Sequence, residues 1–228
     1  MNIWKGKELA DQMLESVKQH IDVFLDHYPC LNVIGGDVSN PYYRGILKDA
    51  EYCGIVVKNH LGSDLPLIKS GNYISLDPTI RVPDSCNVDG GGTTPCTAEA
   101  IVRMLLWKGF EFDGATSVVI GRSERVGRPV ATLLTDLSTT VTLAHSRTPE
   151  ASLGRYIADA DLIISCAGNA GFAEKYKDFK KRATLIDVGG DFVGLAENAV
   201  ENFAPHIGGV GTITRAVLME HVFYAGKK

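Results

Sequence analysis

The stretch that most constrains this chain is Gly121-Arg122-Ser123-Glu124-Arg125-Val126-Gly127-Arg128-Pro129. It follows Thr116-Ser117-Val118-Val119-Ile120, a β-branched run that reads as a buried strand. It leads into Val130-Ala131-Thr132-Leu133-Leu134, which opens a helix. A glycine-rich turn in that context places backbone N–H groups at a helix N-terminus, where partial positive charge favours a phosphate and glycine lets it approach the main chain. The spacing is Gly-x-Ser-x-x-x-Gly rather than Gly-x-Gly-x-x-Gly, so the pattern alone fits an ordinary strand-to-helix turn as well as a dinucleotide site.

The surroundings extend the pattern. A strand over 116–120, a helix over about 125–136, a strand over 139–144, a helix over about 150–158 and strands over 161–166 and 183–187 alternate regularly. Such alternation calls for a parallel sheet with helices on both faces. A last helix, Ile213 to Tyr224, follows the glycine loop Gly208-Gly209-Val210-Gly211. Upstream, Leu9, Met13, Val17, Ile21 and Phe24 recur at helical spacing over Gly6 to Phe24, ending at Tyr28-Pro29. Cys30 to Ile34 reads as a strand, and Ser39-Asn40-Pro41 starts a helix that runs to Cys53 with Gly54 as C-cap. Ile55-Val56-Val57 begins another strand, Ser63-Asp64-Leu65-Pro66 another helix, and Asn72 to Leu76 a third strand. The segment Asp77 to Thr94, rich in Pro, Asp, Asn and Gly, either links elements or builds a site. Thr97 to Trp107 reads as a long helix.

A length of 228 residues fits one large domain or two small ones. A net charge of -4 argues against a protein whose main task is to grip nucleic acid or an anionic membrane. Five cysteines without a Cys-x-x-Cys pair, and an N-terminus without a signal-peptide apolar core, point to a reducing cytoplasm. No apolar run approaches a membrane span, and the histidines show no metal-ligand spacing, so no metal site is expected.

In a dinucleotide fold that prefers NAD, an acidic residue at the end of the second strand binds the ribose 2′-hydroxyl. Here that strand ends in Leu143-Ala144-His145-Ser146-Arg147-Thr148, without a carboxylate. Ser146 and Arg147 can donate hydrogen bonds and Arg122 adds a cation, a set that suits the 2′-phosphate of NADP; the alternative is a solvated surface arginine at 147.

Gly121-Arg122-Ser123 with Val126-Gly127 and Pro129, His145-Ser146-Arg147-Thr148, Ala160 to Ile164, Ile186-Asp187-Val188-Gly189 and Gly208-Gly209-Val210-Gly211 fall in an order and spacing that resemble the bifunctional methylenetetrahydrofolate dehydrogenase/cyclohydrolase family. The resemblance is strongest from about Pro95 onward. It implies an α/β protein of two lobes with a cleft between them: a folate-binding lobe over 1–108, joined by the C-terminal helix 212–228, and a Rossmann-type NADP-binding lobe over 109–211. It further implies NADP-dependent oxidation of 5,10-methylenetetrahydrofolate to the 5,10-methenyl form, followed by hydrolysis, in a homodimer. Tyr42, Asp89 and Gly208, Gly209, Val210 and Gly211 would meet the folate, with Tyr42 and Asp89 catalytic. Gly121, Arg122, Ser123, Ser146, Arg147 and Gly190 would meet the cofactor.

The resemblance is eroded where the family carries its hydrolytic groups. The lysine of its Tyr-x-x-x-Lys helix falls at Ile46 with Tyr42 as the tyrosine, or at Leu47 with Tyr43, so neither register restores it. Lys48, two residues beyond Ile46, is turned about 200° from the Tyr42 face. The glutamine of its Gln-Leu-Pro-Leu-Pro strand end falls at Ile74, within Tyr73-Ile74-Ser75-Leu76-Asp77-Pro78. The Asp-Val-Asp-Gly loop is retained as Asn87-Val88-Asp89-Gly90, and the prolines flanking the glycine loop are Ile207 and Thr212. Hydride transfer needs mainly that substrate and cofactor be oriented, whereas hydrolysis needs placed proton transfer. The expectation is therefore a dehydrogenase with weak or lost cyclohydrolase activity. Alternatives are a non-catalytic paralogue that binds the same ligands as a subunit or regulator, and a dehydrogenase for another small substrate.

Overall fold

The computed structural model of the protein describes residues 1–24, 29–61, 71–77 and 79–225. The elements, in order, are β1 (Asn2–Ile3), α1 (Lys7–Phe24), β2 (Cys30–Ile34), α2 (Pro41–Cys53), β3 (Val56–His60), β4 (Asn72–Ser75), α3 (Cys96–Trp107), β5 (Thr116–Ile120), α4 (Gly127–Asp136), β6 (Thr140–Ala144), α5 (Glu150–Ala158), β7 (Leu162–Ser165), α6 (Phe172–Lys175), β8 (Thr184–Asp187), β9 (Asn202–Ala204) and α7 (Val210–Ala225). The chain divides into two compact units, one of Met1–Lys7 with Thr97–Ile213 and one of Glu8–Cys96 with Thr214–Lys228. Along the chain these units change over near Lys7, Cys96 and Ile213. Met1–Lys7 go with the larger sheet because β1 hydrogen-bonds to β9, Asn2 opposite Asn202 and Ile3 opposite Phe203.

The larger sheet has the order β1-β9-β8-β7-β5-β6 and is parallel throughout. Val118, Val119, Ile163, Ile164, Leu185 and Ile186 are fully buried, which is why these strands read as continuous apolar runs. Burying one such side chain stabilises by about 1.5–3 kcal/mol. At the amino end of the sheet, Asp161 accepts hydrogen bonds from the Thr116 amide (2.9 Å), the Thr116 hydroxyl (2.8 Å) and Lys180 (2.8 Å). Burial works against this carboxylate, but those donors outweigh it and hold its pKa below the ordinary value.

The second unit carries a parallel sheet of order β3-β2-β4, with Val33 opposite both Asn59 and Ile74. Asn40 caps α2 by accepting the Tyr42 amide hydrogen at 2.8 Å, and Gly54 closes it in the left-handed conformation (φ 77°). Arg215 of α7 reaches Asp49 of α2 at 2.7 Å, both largely buried. Cys53 of α2 sits against the Leu14 carbonyl of α1. Burial, aided by Asp49, pushes its thiol pKa up to about 12.

Several elements differ from the sequence reading. α4 starts at Gly127, where the Ser123 side chain takes up the amides of its cap residue Val126 and of Gly127 itself. α7 starts at Val210, so Val210 and Gly211 form its first turn instead of a loop. β1, β9 and α6 are two to four residues long and offer no periodicity to read. The expected helix start at Ser63–Pro66, together with Tyr28 and Pro78, lies outside the described residues.

Candidate functional site

A cavity of about 490 Å³ opens at the carboxyl ends of β5, β6 and β7, lined among others by Gly121, Arg122, Ser123, His145, Ser146 and Glu150. From β5 the chain steps to β6 on one side and returns to β7 on the other. In open parallel sheets ligands bind in the crevice at such a reversal.

The turn that forms the cavity floor requires its glycines. Gly121 has a φ of 122°, and a Cβ there would lie 2.7 Å from the Cys166 carbonyl oxygen. A Cβ on Gly127 would run into the Gly121 carbonyl oxygen. Ser123 Oγ accepts from the amides of Val126 (3.2 Å) and Gly127 (3.4 Å), satisfying the first turn of α4. Its own hydroxyl hydrogen remains available to a phosphate oxygen.

The loop after β6 is held by its own side chains. The His145 amide donates to Thr148 Oγ1 (2.9 Å), and the Arg147 amide donates to His145 Nδ1 (3.1 Å). Ser146 faces the cavity; Arg147 is exposed and outside its lining. A carboxylate absent from the strand end appears at Glu150, where α5 begins, paired with Lys175 at 2.5 Å. The hydrogen bond to Glu150 raises the Lys175 pKa. With Lys175 neutralising Glu150, Arg122 leaves the wall net positive, which fits a phosphate group. The apolar wall is Leu153, Phe172 and Tyr176, the last two rings meeting edge to face at 5.3 Å. Cys166 also lines the cavity, and burial pushes its thiol pKa up to about 12.

Two buried carboxylates shape the loops around this crevice, and sequence reasoning assigned neither a role. Asp191 Oδ2 accepts from Ser165 Oγ (2.6 Å) and the Ala167 amide (3.1 Å), and its Oδ1 accepts from the Asn169 amide. Asp187 accepts from the amides of Asp191 (2.9 Å) and Phe192 (3.0 Å). Burial raises the Asp187 pKa against the pull of those amides. The signal in the sequence was two aspartates flanking a double glycine at a strand end; their partners are invisible there. Gly190 lies in this loop, outside the cavity lining, with the His206 ring about 3.5 Å from where its Cβ would stand.

The residues expected to meet folate fall in different units. Gly208 (φ 82°) and Gly209 lie immediately before α7 in the first unit, where the Gly6 amide donates to the Gly208 carbonyl at 3.0 Å. Tyr42, half-buried, and Asp89 belong to the second. Asp89 Oδ1 accepts the Cys96 amide at 2.7 Å, at the start of α3, and Asn87 accepts the Asp89 amide at 2.9 Å. Its loop is anchored by the Val88 amide to the Tyr73 carbonyl (3.1 Å) and by His221 Nδ1 to the Val88 carbonyl (2.8 Å). Ile46 is fully buried and Ile74 is 4% exposed. Both belong to the interior, and the buried tyrosine of α2 is Tyr43, not Tyr42. Among the described residues no group of His, Cys, Asp and Glu is placed to hold a metal ion.

Residues 95–228 match the tetrahydrofolate dehydrogenase/cyclohydrolase NAD(P)-binding domain. A bifunctional FolD protein of Oenococcus oeni is 34% identical over 195 residues, 77% of this chain and 67% of that protein. The cytoplasmic C-1-tetrahydrofolate synthase of Saccharomyces cerevisiae is 28% identical over 98% of this chain, which spans only 31% of that protein. The solved 5,10-methylenetetrahydrofolate dehydrogenase of the silkworm Bombyx mori superposes with a TM-score of 0.85 at 27% identity, over 99% of this chain and 98% of that one. The chain therefore belongs to the tetrahydrofolate dehydrogenase/cyclohydrolase family.

Proposed function

We propose that this protein oxidises 5,10-methylenetetrahydrofolate to 5,10-methenyltetrahydrofolate with NADP, and that it hydrolyses the product weakly or not at all. The observation that carries the cofactor reading is the Gly121–Gly127 turn, closed onto the end of β7 and opening into a cavity of about 490 Å³. That volume is within the range of small-molecule sites. When bound, NADP supplies a nicotinamide ring that accepts a hydride from the substrate methylene carbon. The residues of this chain bind and orient. Ser123 and Ser146 offer hydroxyl donors, Arg122 and Arg147 offer cations for the 2′-phosphate, and Leu153, Phe172 and Tyr176 offer an apolar wall. Asp89 can accept from the amino and ring N–H groups of a pterin, and Tyr42 would pack against it.

Removing a hydride from the methylene leaves a cation delocalised over the flanking nitrogens, so oxidation needs no proton transfer from the protein. Hydrolysis adds water and must move protons. Ile46 and Ile74 have none to exchange and are buried. The test is NADPH absorbance on mixing protein, NADP and 5,10-methylenetetrahydrofolate, followed by assay of 10-formyltetrahydrofolate. Binding of NADP without reduction at any pH would refute the dehydrogenase reading. That outcome would favour the second reading, a non-catalytic ligand-binding subunit, which rests on Ile46 and Ile74. Family resemblance supports a homodimer in a reducing cytoplasm, a proposal that sedimentation and fractionation would check.

A further inference from the structure

His206 follows β9, two strands beyond β7 at the carboxyl edge of the same parallel sheet. The order β6-β5-β7-β8-β9 sets the direction of a bound dinucleotide. With a pyrophosphate held at the turn after β5 and an adenosine toward the loop after β6, a nicotinamide half would extend over β7 toward β8. Adjacent strands are about 4.8 Å apart, which puts β8 roughly 10 Å from β5, the reach of half a dinucleotide. There Val188-Gly189-Gly190 follows β8, and Pro205-His206 follows β9.

The His206 ring is exposed, yet its orientation is fixed. Nδ1 stands 2.7 Å from the Val188 carbonyl oxygen, and the ring covers Gly190. A carbonyl oxygen only accepts, so Nδ1 carries the hydrogen. In the neutral imidazole Nε2 is then an acceptor.

We propose that His206 Nε2 accepts a hydrogen bond from the carboxamide NH₂ of the nicotinamide, so that His206 sets the rotation of that ring. This rests on the NADP reading above. The test is calorimetric binding of NADP and of its 3-acetylpyridine analogue, in which a methyl replaces the NH₂ donor. The wild-type protein should prefer NADP by about five- to tenfold, the worth of one neutral hydrogen bond. His206→Ala should bind both within about twofold of each other, and His206→Gln, whose amide oxygen can reach the place of Nε2, should recover part of the preference. Equal discrimination by the wild-type and His206→Ala proteins would overturn the inference while leaving the NADP reading intact. No binding of either dinucleotide to the wild type would overturn both.

Discussion

The Asp191 carboxylate receives the Ser165 hydroxyl hydrogen at 2.6 Å, with both side chains fully buried at the carboxyl end of β7. The same carboxyl group takes the amides of Ala167 and Asn169, so one buried side chain holds the strand end and the loop that leaves it. Cys166, Ala167 and Asn169 line the cavity at the ends of β5, β6 and β7, and Asp191 therefore shapes that wall without lining it.

Asp191→Ala leaves the Ser165 hydroxyl buried without an acceptor and frees two loop amides. It should lower the unfolding free energy by roughly 2–4 kcal/mol and weaken NADP binding. Urea denaturation and NADP titration measure the two effects; an unchanged midpoint would show that the network is dispensable.

Asp187 has a folded-state pKa raised above 3.8 by burial, with Asp191 adding repulsion. Its contribution is complete below the unfolded-state pKa and is lost as pH rises through the folded-state pKa. The difference in unfolding free energy between Asp187→Asn and wild type should therefore move in favour of Asn as pH rises from about 4. A difference that stays flat or moves the other way would contradict the assignment.

Gly121→Ala puts a Cβ 2.7 Å from the Cys166 carbonyl on a backbone with φ 122°. The strain should cost roughly 2–4 kcal/mol and displace the turn, so cofactor affinity should fall with stability. A variant that melts normally and binds NADP at wild-type affinity would show that the turn tolerates a side chain.

Cys166 lines the cavity with a thiol pKa of about 12. At pH 8 only on the order of one thiol in ten thousand is ionised. In the folded protein iodoacetamide should leave Cys166 unmodified, while the urea-unfolded chain labels readily; peptide mapping by mass spectrometry reads both.

Lys175→Met leaves Glu150 unpaired in the cavity wall. A free carboxylate there opposes a 2′-phosphate and suits a 2′-hydroxyl, so NADP preference over NAD should fall by roughly threefold, a modest change because the pair is exposed. Arg122→Ala and Arg147→Ala should each lower the preference further. Dissociation constants for both dinucleotides check all three, and an unchanged ratio in both arginine variants would remove the basis for NADP selectivity.

Much of the architecture was legible in local chemistry. The buried strands 116–120 and 184–187 announce themselves as apolar runs, Asn40-Pro41 and Gly54 bracket α2, and Gly121 and Gly127 mark the turn. These signals act over a few residues, because capping, turn geometry and helical periodicity depend on near neighbours. They also identified Gly121, Arg122, Ser123 and Ser146 as a group, and the fold brings those four to one cavity.

What depended on strand order could not be read that way. Asn2 meets Asn202, Lys175 meets Glu150, Ser165 meets Asp191 and His206 meets Val188 only because the sheet aligns segments far apart in the chain. Local sequence was enough for the alternation of strands and helices, for the glycine turn and for Ile46 and Ile74 standing where the family resemblance implies a lysine and a glutamine. Tertiary structure alone decided that Ile46 and Ile74 are buried, that Glu150 is neutralised by Lys175, and that buried Asp187 and Asp191 hold the crevice loops. Local propensity chooses each element's conformation, whereas burial and charge pairing depend on which elements the sheet sets side by side.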